Sequence, residues 1–184
     1  MKLALVTQHF APHFEGGTET VVRAQARALR DLGHEVHVVS GTERRRADGG
    51  TTVEEVDGLR VTFLHRRSDE PYDLILERPR LVRRVATLCA EDELAHVHHW
   101  TTLDNALVRT LAAQGRPVVV TLHDHFASCP RFFRIPEGGV ARCPAPGDVE
   151  PCVPCCAVDV SLPDEELRAT PPSGMRKKRG QEAK

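Results

Sequence analysis

The sequence lacks several features that would assign it to a familiar class. None of its apolar runs approaches the roughly 20 residues that a membrane-spanning helix needs, and its N-terminus lacks the charged-then-apolar order of a secretory signal peptide. Lys and Arg (25) nearly balance Asp and Glu (26), whereas nucleic-acid-binding domains concentrate positive charge. We therefore expect a cytoplasmic protein that does not bind nucleic acid.

The glycines also fail to match well-known phosphate-binding motifs. The spacing after the first apolar run fits neither G-x-G-x-x-G nor the P-loop pattern. Two adjacent glycines, Gly16 and Gly17, nevertheless stand between the run LALVT and a segment with helical periodicity. Because glycine destabilises the interior of a helix or strand, this pair indicates a sharp turn or the close approach of another group.

Strand and helix patterns alternate over the first two thirds of the chain. The runs LALVT, EVHVVSG, LAHVHH and VVVTL predict strands, and Asp57-Gly58 predicts the turn of a hairpin between TTVEEV and LRVTFL. A polar, Arg-rich loop is expected after EVHVVSG. Helical spacing predicts helices over 18–32 and 80–93 and a third that carries Leu103, Leu107 and Leu111. This alternation predicts an α/β protein with a doubly wound, mostly parallel sheet.

Two C-terminal segments depart from this pattern. Residues 126–160 contain prolines, glycines and five of the six cysteines, which predicts a Cys-rich loop. Residues 161–184 are polar and end in a basic cluster, RKKRG, so we expect a disordered tail. The basic cluster could make peripheral contact with acidic lipids, and solvated disorder is the alternative.

The glycine pair has a chemical interpretation. In a doubly wound sheet, ligands bind at the carboxyl ends of the strands. The start of a helix presents unpaired N–H groups and a partial positive charge, and glycines there let an anion approach closely. Gly16 and Gly17 are thus candidates for binding phosphate. The alternative is a tight turn that needs a positive φ and binds nothing.

Five segments, taken in order, resemble the N-terminal half of glycosyltransferase family 4. They are PHFEGGTE, LRDLGHEVHVVSG, DGLRV, VHHW and TLHDHFASCPR, and the resemblance covers nearly all of residues 1–134. It implies a GT-B fold, in which two Rossmann-like domains face each other across a cleft, with residues 1–125 as the acceptor-side domain. It also implies retaining transfer of a sugar from a nucleotide-sugar donor to a carbohydrate or lipid-linked acceptor, without a divalent metal.

The resemblance implies roles for single residues as well. Gly16 and Gly17 would lie against the diphosphate and the transferred sugar of the donor. His123 would point at the reacting sugar as the catalytic histidine, and His99 and Asp124 would bind the acceptor. The alternative for His123 and Asp124 is a local role in capping a strand end.

The second domain of such an enzyme is missing from this sequence. Glu35 and Glu43 have the spacing of the family's paired glutamates, but they span a strand of the first domain, so we treat the match as chance. We expect a truncated product, a cut domain or one part of a split enzyme, which transfers little or no sugar alone. A second Rossmann-domain protein would be the partner of a split enzyme. The alternative is a non-catalytic zinc-binding or partner-binding module, completed by another chain.

The clustered cysteines suggest a metal site. Four thiolates can close a tetrahedral zinc site, and CVPC is a C-x-x-C pair. The predicted structural zinc ligands are Cys129, Cys143, Cys152 and Cys155, with Cys156 as a substitute. Free thiols or a redox pair are the alternatives. Cys89 lies on a predicted helix face, where we expect it to be part of the core.

Overall fold

The computed structural model describes residues 1–69 and 78–129, together with residues 134, 143, 152 and 155. The strands in these ranges are β1 (Lys2–Thr7), β2 (Glu35–Arg46), β3 (Thr51–Val56), β4 (Leu59–Arg67), β5 (Leu94–Val97) and β6 (Val118–Val120). The helices are α1 (Gly17–Asp31), α2 (Pro79–Leu88) and α3 (Leu107–Ala112). The tail over 161–184 and Cys156 lie outside the described residues, as does most of the Cys-rich segment.

The strands form one sheet in the order β3-β4-β2-β1-β5-β6. All neighbouring pairs are parallel except β3 and β4, which form the antiparallel hairpin. The central strand β1 has β2 on one side and β5 on the other, so the direction of winding reverses beside β1. The predicted doubly wound, mostly parallel α/β class is confirmed.

Each face of the sheet is covered by helices. Successive side chains of a strand point to opposite faces, so Leu5 packs in a cluster with Val22 of α1, whereas Val6 packs in a second cluster with Val85 of α2 and Leu107 of α3. The apolar run of β1 is therefore buried on both sides, which is why it shows no polar alternation.

The hairpin turn is confirmed in detail. Asp57 and Gly58 have φ values of 56° and 74°, and positive φ at both central residues is what a type I′ turn requires. The prediction of an Arg-rich loop after EVHVVSG, in contrast, is wrong for the first residues of that loop. Strand β2 continues to Arg46 past an irregularity between Thr42 and Arg45, because β4 supplies backbone partners along this stretch.

Helix α1 lies within one residue of the predicted bounds 18–32, whereas the other two helices are shorter than predicted. Helix α2 ends at Leu88 rather than at residue 93, and Cys89 follows as a fully buried member of the core, as expected. Helix α3 begins at Leu107, so Leu103 lies in the preceding turn, although it is only 1% exposed. Leu103 was assigned to the helix because of its spacing from Leu107 and Leu111. It is buried because the turn that carries it packs against the sheet. Among the described residues, no helix combines the length and apolarity that crossing a bilayer would require.

Candidate functional site

Loops that leave three neighbouring strands carry the predicted site residues. Gly16 ends the loop after β1 and Gly17 begins α1. His99 lies in the loop after β5, and His123 and Asp124 follow β6. Because β1, β5 and β6 are adjacent and parallel, these loops leave the same edge of the sheet.

Asp124 and His99 form a direct pair. Nε2 of the buried His99 lies 3.0 Å from Oδ2 of Asp124, and the other carboxylate oxygen accepts the backbone N–H of Phe126 at 2.8 Å. The rings of Phe126 and His99 stack with centroids 5.7 Å apart. Asp124 therefore makes the local turn contact expected of a strand-end cap, and it also orients a histidine of the neighbouring strand.

The second ring nitrogen of His99 continues this network. Nδ1 of His99 lies 2.9 Å from the hydroxyl oxygen of Thr101, which also contacts the carboxamide of Gln8. The hydroxyl of Thr102 donates to the backbone oxygen of Gln8 at 3.0 Å. These contacts tie the loop after β5 to the loop after β1, so the orientation of the His99 ring is set from both sides.

His123 contacts a second histidine, His98, rather than His99. Nδ1 of His98 and Nε2 of His123 are 3.0 Å apart, and the ring of His96 stacks on that of His98 at 4.2 Å. Burial, followed by the neighbouring His96 and His123, lowers the pKa of His98 from 6.5 to about 3. Burial also lowers the pKa of His123, with a smaller contribution from His99 and an opposing one from Asp124.

A neutral imidazole at His123 has a defined hydrogen-bonding capacity. Its Nε2 is engaged by His98, and its Nδ1 makes no hydrogen bond within the described part of the chain. Since a neutral ring carries one donor and one acceptor nitrogen, Nδ1 is the atom that a ligand hydroxyl could reach. The ring is half-buried, so it is held in place and still accessible.

The glycine pair does not form the tight turn with positive φ that was the alternative to phosphate binding. Gly16, the N-cap of α1, is extended with φ −154°, and neither Gly16 nor Gly17 has a positive φ. A Cβ atom on Gly16 would lie 2.7 Å from Oε2 of Glu19 and 3.2 Å from Cε1 of Phe14, whereas one on Gly17 would meet no heavy atom within 4 Å. Close packing explains Gly16, and Gly17 faces open space.

Sequence reasoning missed Glu19, which lies under this loop. Its side chain is only 3% exposed, and burial raises its pKa to about 6 against the effect of hydrogen bonds from the backbone N–H groups of Glu19 and Gly16. The carboxylate of Glu19 thus lies beside the first of the two glycines that are predicted to bind phosphate. A glutamate at the third position of a helix is one half of a capping box. The glutamate of GGTE matches that half, although the N-cap here is glycine.

The described residues do not assemble the predicted zinc site. Cys129, Cys143, Cys152 and Cys155 are all described and half-buried. Over the described ranges, no group of three or more His, Cys, Asp or Glu side chains is placed to hold a metal ion. Zinc binding stays a prediction, which metal analysis of the purified protein would test.

The chain matches one family model and is similar to parts of several solved structures. The family model described as Glycosyltransferase Family 4 matches residues 15–142. Similar solved structures include the catalytic domain of starch synthase IV from Arabidopsis thaliana bound to ADP and acarbose, with 18% identity, a TM-score of 0.43 and coverage of 67% of this chain and 34% of that one. The apo structure of OtsA has 15% identity, a TM-score of 0.44 and coverage of 74% and 35%.

A third similar structure is an alpha-glucosyltransferase in complex with UDP and a 13-mer DNA, with 12% identity, a TM-score of 0.40 and coverage of 68% of this chain and 30% of that one. The matched part of this chain thus spans about a third of each of the three solved structures (34%, 35% and 30%). No curated protein was found to match the sequence.

Proposed function

This chain belongs to glycosyltransferase family 4, and from that premise we propose that it is the acceptor-side domain of a retaining glycosyltransferase. The complete enzyme would transfer a sugar from a nucleotide-sugar donor to a carbohydrate or lipid-linked acceptor, without a divalent metal. The donor-binding domain would come from residues or a chain beyond those described. Alone, the described domain would bind donor weakly and transfer little or no sugar.

One observation carries this proposal. Three features lie at the same edge of the sheet, beside the strand where the winding reverses. They are the open space at Gly17, the accessible Nδ1 of His123 and the His99–Asp124 pair. In open α/β sheets this edge is the usual place for ligands. The residues at this edge also provide the hydrogen-bonding groups that glycosyl transfer needs.

The residues would act by placing charge and hydrogen bonds around the reacting bond. As the nucleoside diphosphate leaves, negative charge develops on it, and the positive end of the α1 dipole at Gly17 would stabilise that charge. The transferred sugar becomes electron-poor, and His123 would hold one of its hydroxyl groups through Nδ1. Asp124, fixed by His99, would hydrogen-bond an acceptor hydroxyl from the neighbouring strand end.

Titration of the isotope-labelled chain with UDP and ADP, followed by NMR, tests this assignment even when binding is weak. We expect saturable shifts at Gly17 and His123 that persist in the presence of EDTA. The variant His123→Ala should weaken the response, whereas the matched control His125→Ala should not, because His125 is exposed and makes none of the site's side-chain contacts. Nucleotide-independent spectra at these positions would contradict the proposal and favour a partner-binding module.

A further inference from the structure

The loop between β1 and α1 changes from buried to exposed along its length. Phe10 and Ala11 are buried in the core, whereas Pro12 is exposed. The chain then continues near the surface through residues 14–17, which we call the glycine loop and which end in the first residue of α1. The position of the glycine loop therefore depends on how the chain is held just before it.

His13 anchors the chain at this point. Its side chain is only 2% exposed, although it follows an exposed proline. The backbone N–H groups of His13 and Phe14 both donate to the backbone oxygen of Phe10 at 3.1 Å, so a turn joins His13 to the buried part of the loop. Because buried polar side chains are normally paired, the neighbours of this ring indicate what holds it.

Three strands of the sheet contact the ring of His13. Nδ1 lies 3.1 Å from the hydroxyl oxygen of Thr42 in β2, and Nε2 lies 3.3 Å from Oε1 of Glu54 in β3. The ring also stacks on that of Phe63 in β4, with centroids 4.0 Å apart. We call these four residues the histidine clamp. Both ring nitrogens and one face of the imidazole are engaged in it, which leaves the ring little freedom to rotate.

The partners of the ring also set its protonation. Burial, followed by the charge of Arg44, lowers the pKa of His13, whereas Glu54 opposes this shift. The imidazole is therefore mainly neutral at neutral pH and carries one proton. A carboxylate only accepts hydrogen bonds, so this proton belongs on Nε2, which faces Glu54. Nδ1 then accepts the hydroxyl hydrogen of Thr42, whose oxygen already accepts the backbone N–H of Arg44 at 3.1 Å.

The hairpin of β3 and β4 supports the same loop at a second point. Nη2 of Arg23 in α1 lies 2.9 Å from Oε1 of Glu15, and Nε of Arg23 lies 3.6 Å from Oδ2 of Asp57 in the hairpin turn. Both acids are exposed, and exposed ion pairs contribute little to stability. The contacts of the buried His13 are thus the stronger anchor, and Glu54 is the charged group of the hairpin on which they depend.

The glycines contribute little to their own placement. Gly16 makes no side-chain capping bond at the start of α1, and a Cβ atom on Gly17 would meet no heavy atom within 4 Å. Glycine also gives the backbone more conformational freedom than any other residue. The direction in which the amide of Gly17 points therefore depends on what flanks the glycine loop, which is His13 on one side and α1 on the other.

We propose that His13 is a positioning residue for the donor site, held by Glu54 so that the glycine loop presents the amide of Gly17 to the donor diphosphate. The role in donor binding rests on the proposed function, whereas the anchoring of the loop does not. His13 would not touch the donor, because its ring is buried against the sheet. It would act by reducing the freedom that the glycine loop loses when the donor binds.

Three substitutions in β3 test this inference without disturbing the core. Glu54→Ala removes the partner of Nε2, whereas Glu54→Gln keeps an oxygen that can accept its proton. Glu55→Ala is the matched control, because the next residue of the strand is exposed and points to the opposite face. The readouts are UDP and ADP binding, from NMR shifts of Gly17, and the amide order parameters of Gly16 and Gly17 without ligand.

The three variants should separate anchoring from general stability. Loss of a partly exposed charged contact should weaken nucleotide binding about two- to fivefold in Glu54→Ala. The order parameters of Gly16 and Gly17 should fall in the same variant, and Glu54→Gln and Glu55→Ala should both stay close to the wild type. A merely structural contribution of Glu54 would lower the midpoint of urea unfolding and change neither glycine readout. That result overturns the inference, as does equal weakening by Glu54→Ala and Glu55→Ala.

A double-mutant cycle tests the coupling of the two residues. His13→Ala should weaken nucleotide binding at least as much as Glu54→Ala, and combining the two substitutions should bring no further loss. Additive losses in the double variant overturn the inference. Unfolding curves show whether His13→Ala is folded, and the Glu54 variants decide the question if it is not.

The two proposals fail separately. Order parameters at Gly16 and Gly17 that depend on Glu54, without any nucleotide response in the wild type, would overturn the proposed function and leave the anchoring of the loop standing. Nucleotide binding with neither readout dependent on Glu54 would overturn the histidine clamp alone.

Discussion

Replacing each glycine at the start of α1 with alanine should change stability in opposite directions. At Gly17, the first helical residue, an added Cβ atom meets no heavy atom within 4 Å. The substitution reduces the conformational freedom of the unfolded chain without strain in the folded one, which stabilises by about 0.4–1 kcal/mol. The methyl group would nevertheless stand where a donor phosphate approaches, so Gly17→Ala should also weaken the nucleotide response.

At Gly16 the same change meets the protein itself. The new Cβ atom would lie 2.7 Å from Oε2 of Glu19 and 3.2 Å from a ring carbon of Phe14. The carboxylate is the end of a flexible side chain and can move, but only by leaving its buried position beside the start of α1. Alanine is also a poorer N-cap than glycine. We expect Gly16→Ala to cost about 1–2 kcal/mol, near the lower end of overpacking penalties.

Urea unfolding measures both effects. Trp100 is the only tryptophan in the chain and is half-buried, so its fluorescence reports on the loop after β5. The midpoint should rise for Gly17→Ala and fall for Gly16→Ala at an unchanged slope. Combining Gly16→Ala with Glu19→Ala removes the crowding and should make the two losses non-additive. Equal destabilisation by the two glycine substitutions would refute the packing described here.

Three further substitutions probe the neighbouring loops. Gly41→Ala places a Cβ atom 2.5 Å from the backbone oxygen of Gln8, so we expect a loss of about 2–3 kcal/mol in the same unfolding assay. Burial, aided by nearby positive charge, lowers the pKa of His9 from 6.5 to about 4. The contribution of His9 to stability is therefore complete above pH 6.5 and lost as the pH falls towards 4. The variant His9→Phe should make the free energy of unfolding less dependent on pH over this range. Asp124→Ala removes the partner of His99 Nε2 and should speed the exchange of that ring proton, observed by NMR.

The elements of the fold could be predicted because their determinants are local. The run of β1 is apolar because the strand is buried on both faces of the sheet. The turn forms at Asp57-Gly58 because both residues tolerate a positive φ. The extension of β2 through Arg45 and Arg46 could not be predicted in this way. That extension depends on pairing with β4, more than twenty residues later in the sequence, and charged residues favour a loop when judged alone.

The candidate site also combines features that the sequence reveals with features that depend on distant pairing. His99, His123 and Asp124 follow apolar runs, so their position at strand ends is visible in the sequence. Their pairing is not, because the bond between His99 and Asp124 joins residues 25 apart and follows from the register of β5 and β6.

A buried acid lies beside the proposed donor position at the start of α1. Oε2 of Glu19 lies 2.7 Å from the place that a Cβ atom on Gly16 would take, and burial raises the pKa of this carboxyl to about 6. A donor phosphate at Gly17 would therefore share the helix end with this acid. That arrangement agrees with the proposal that this domain alone binds the donor weakly.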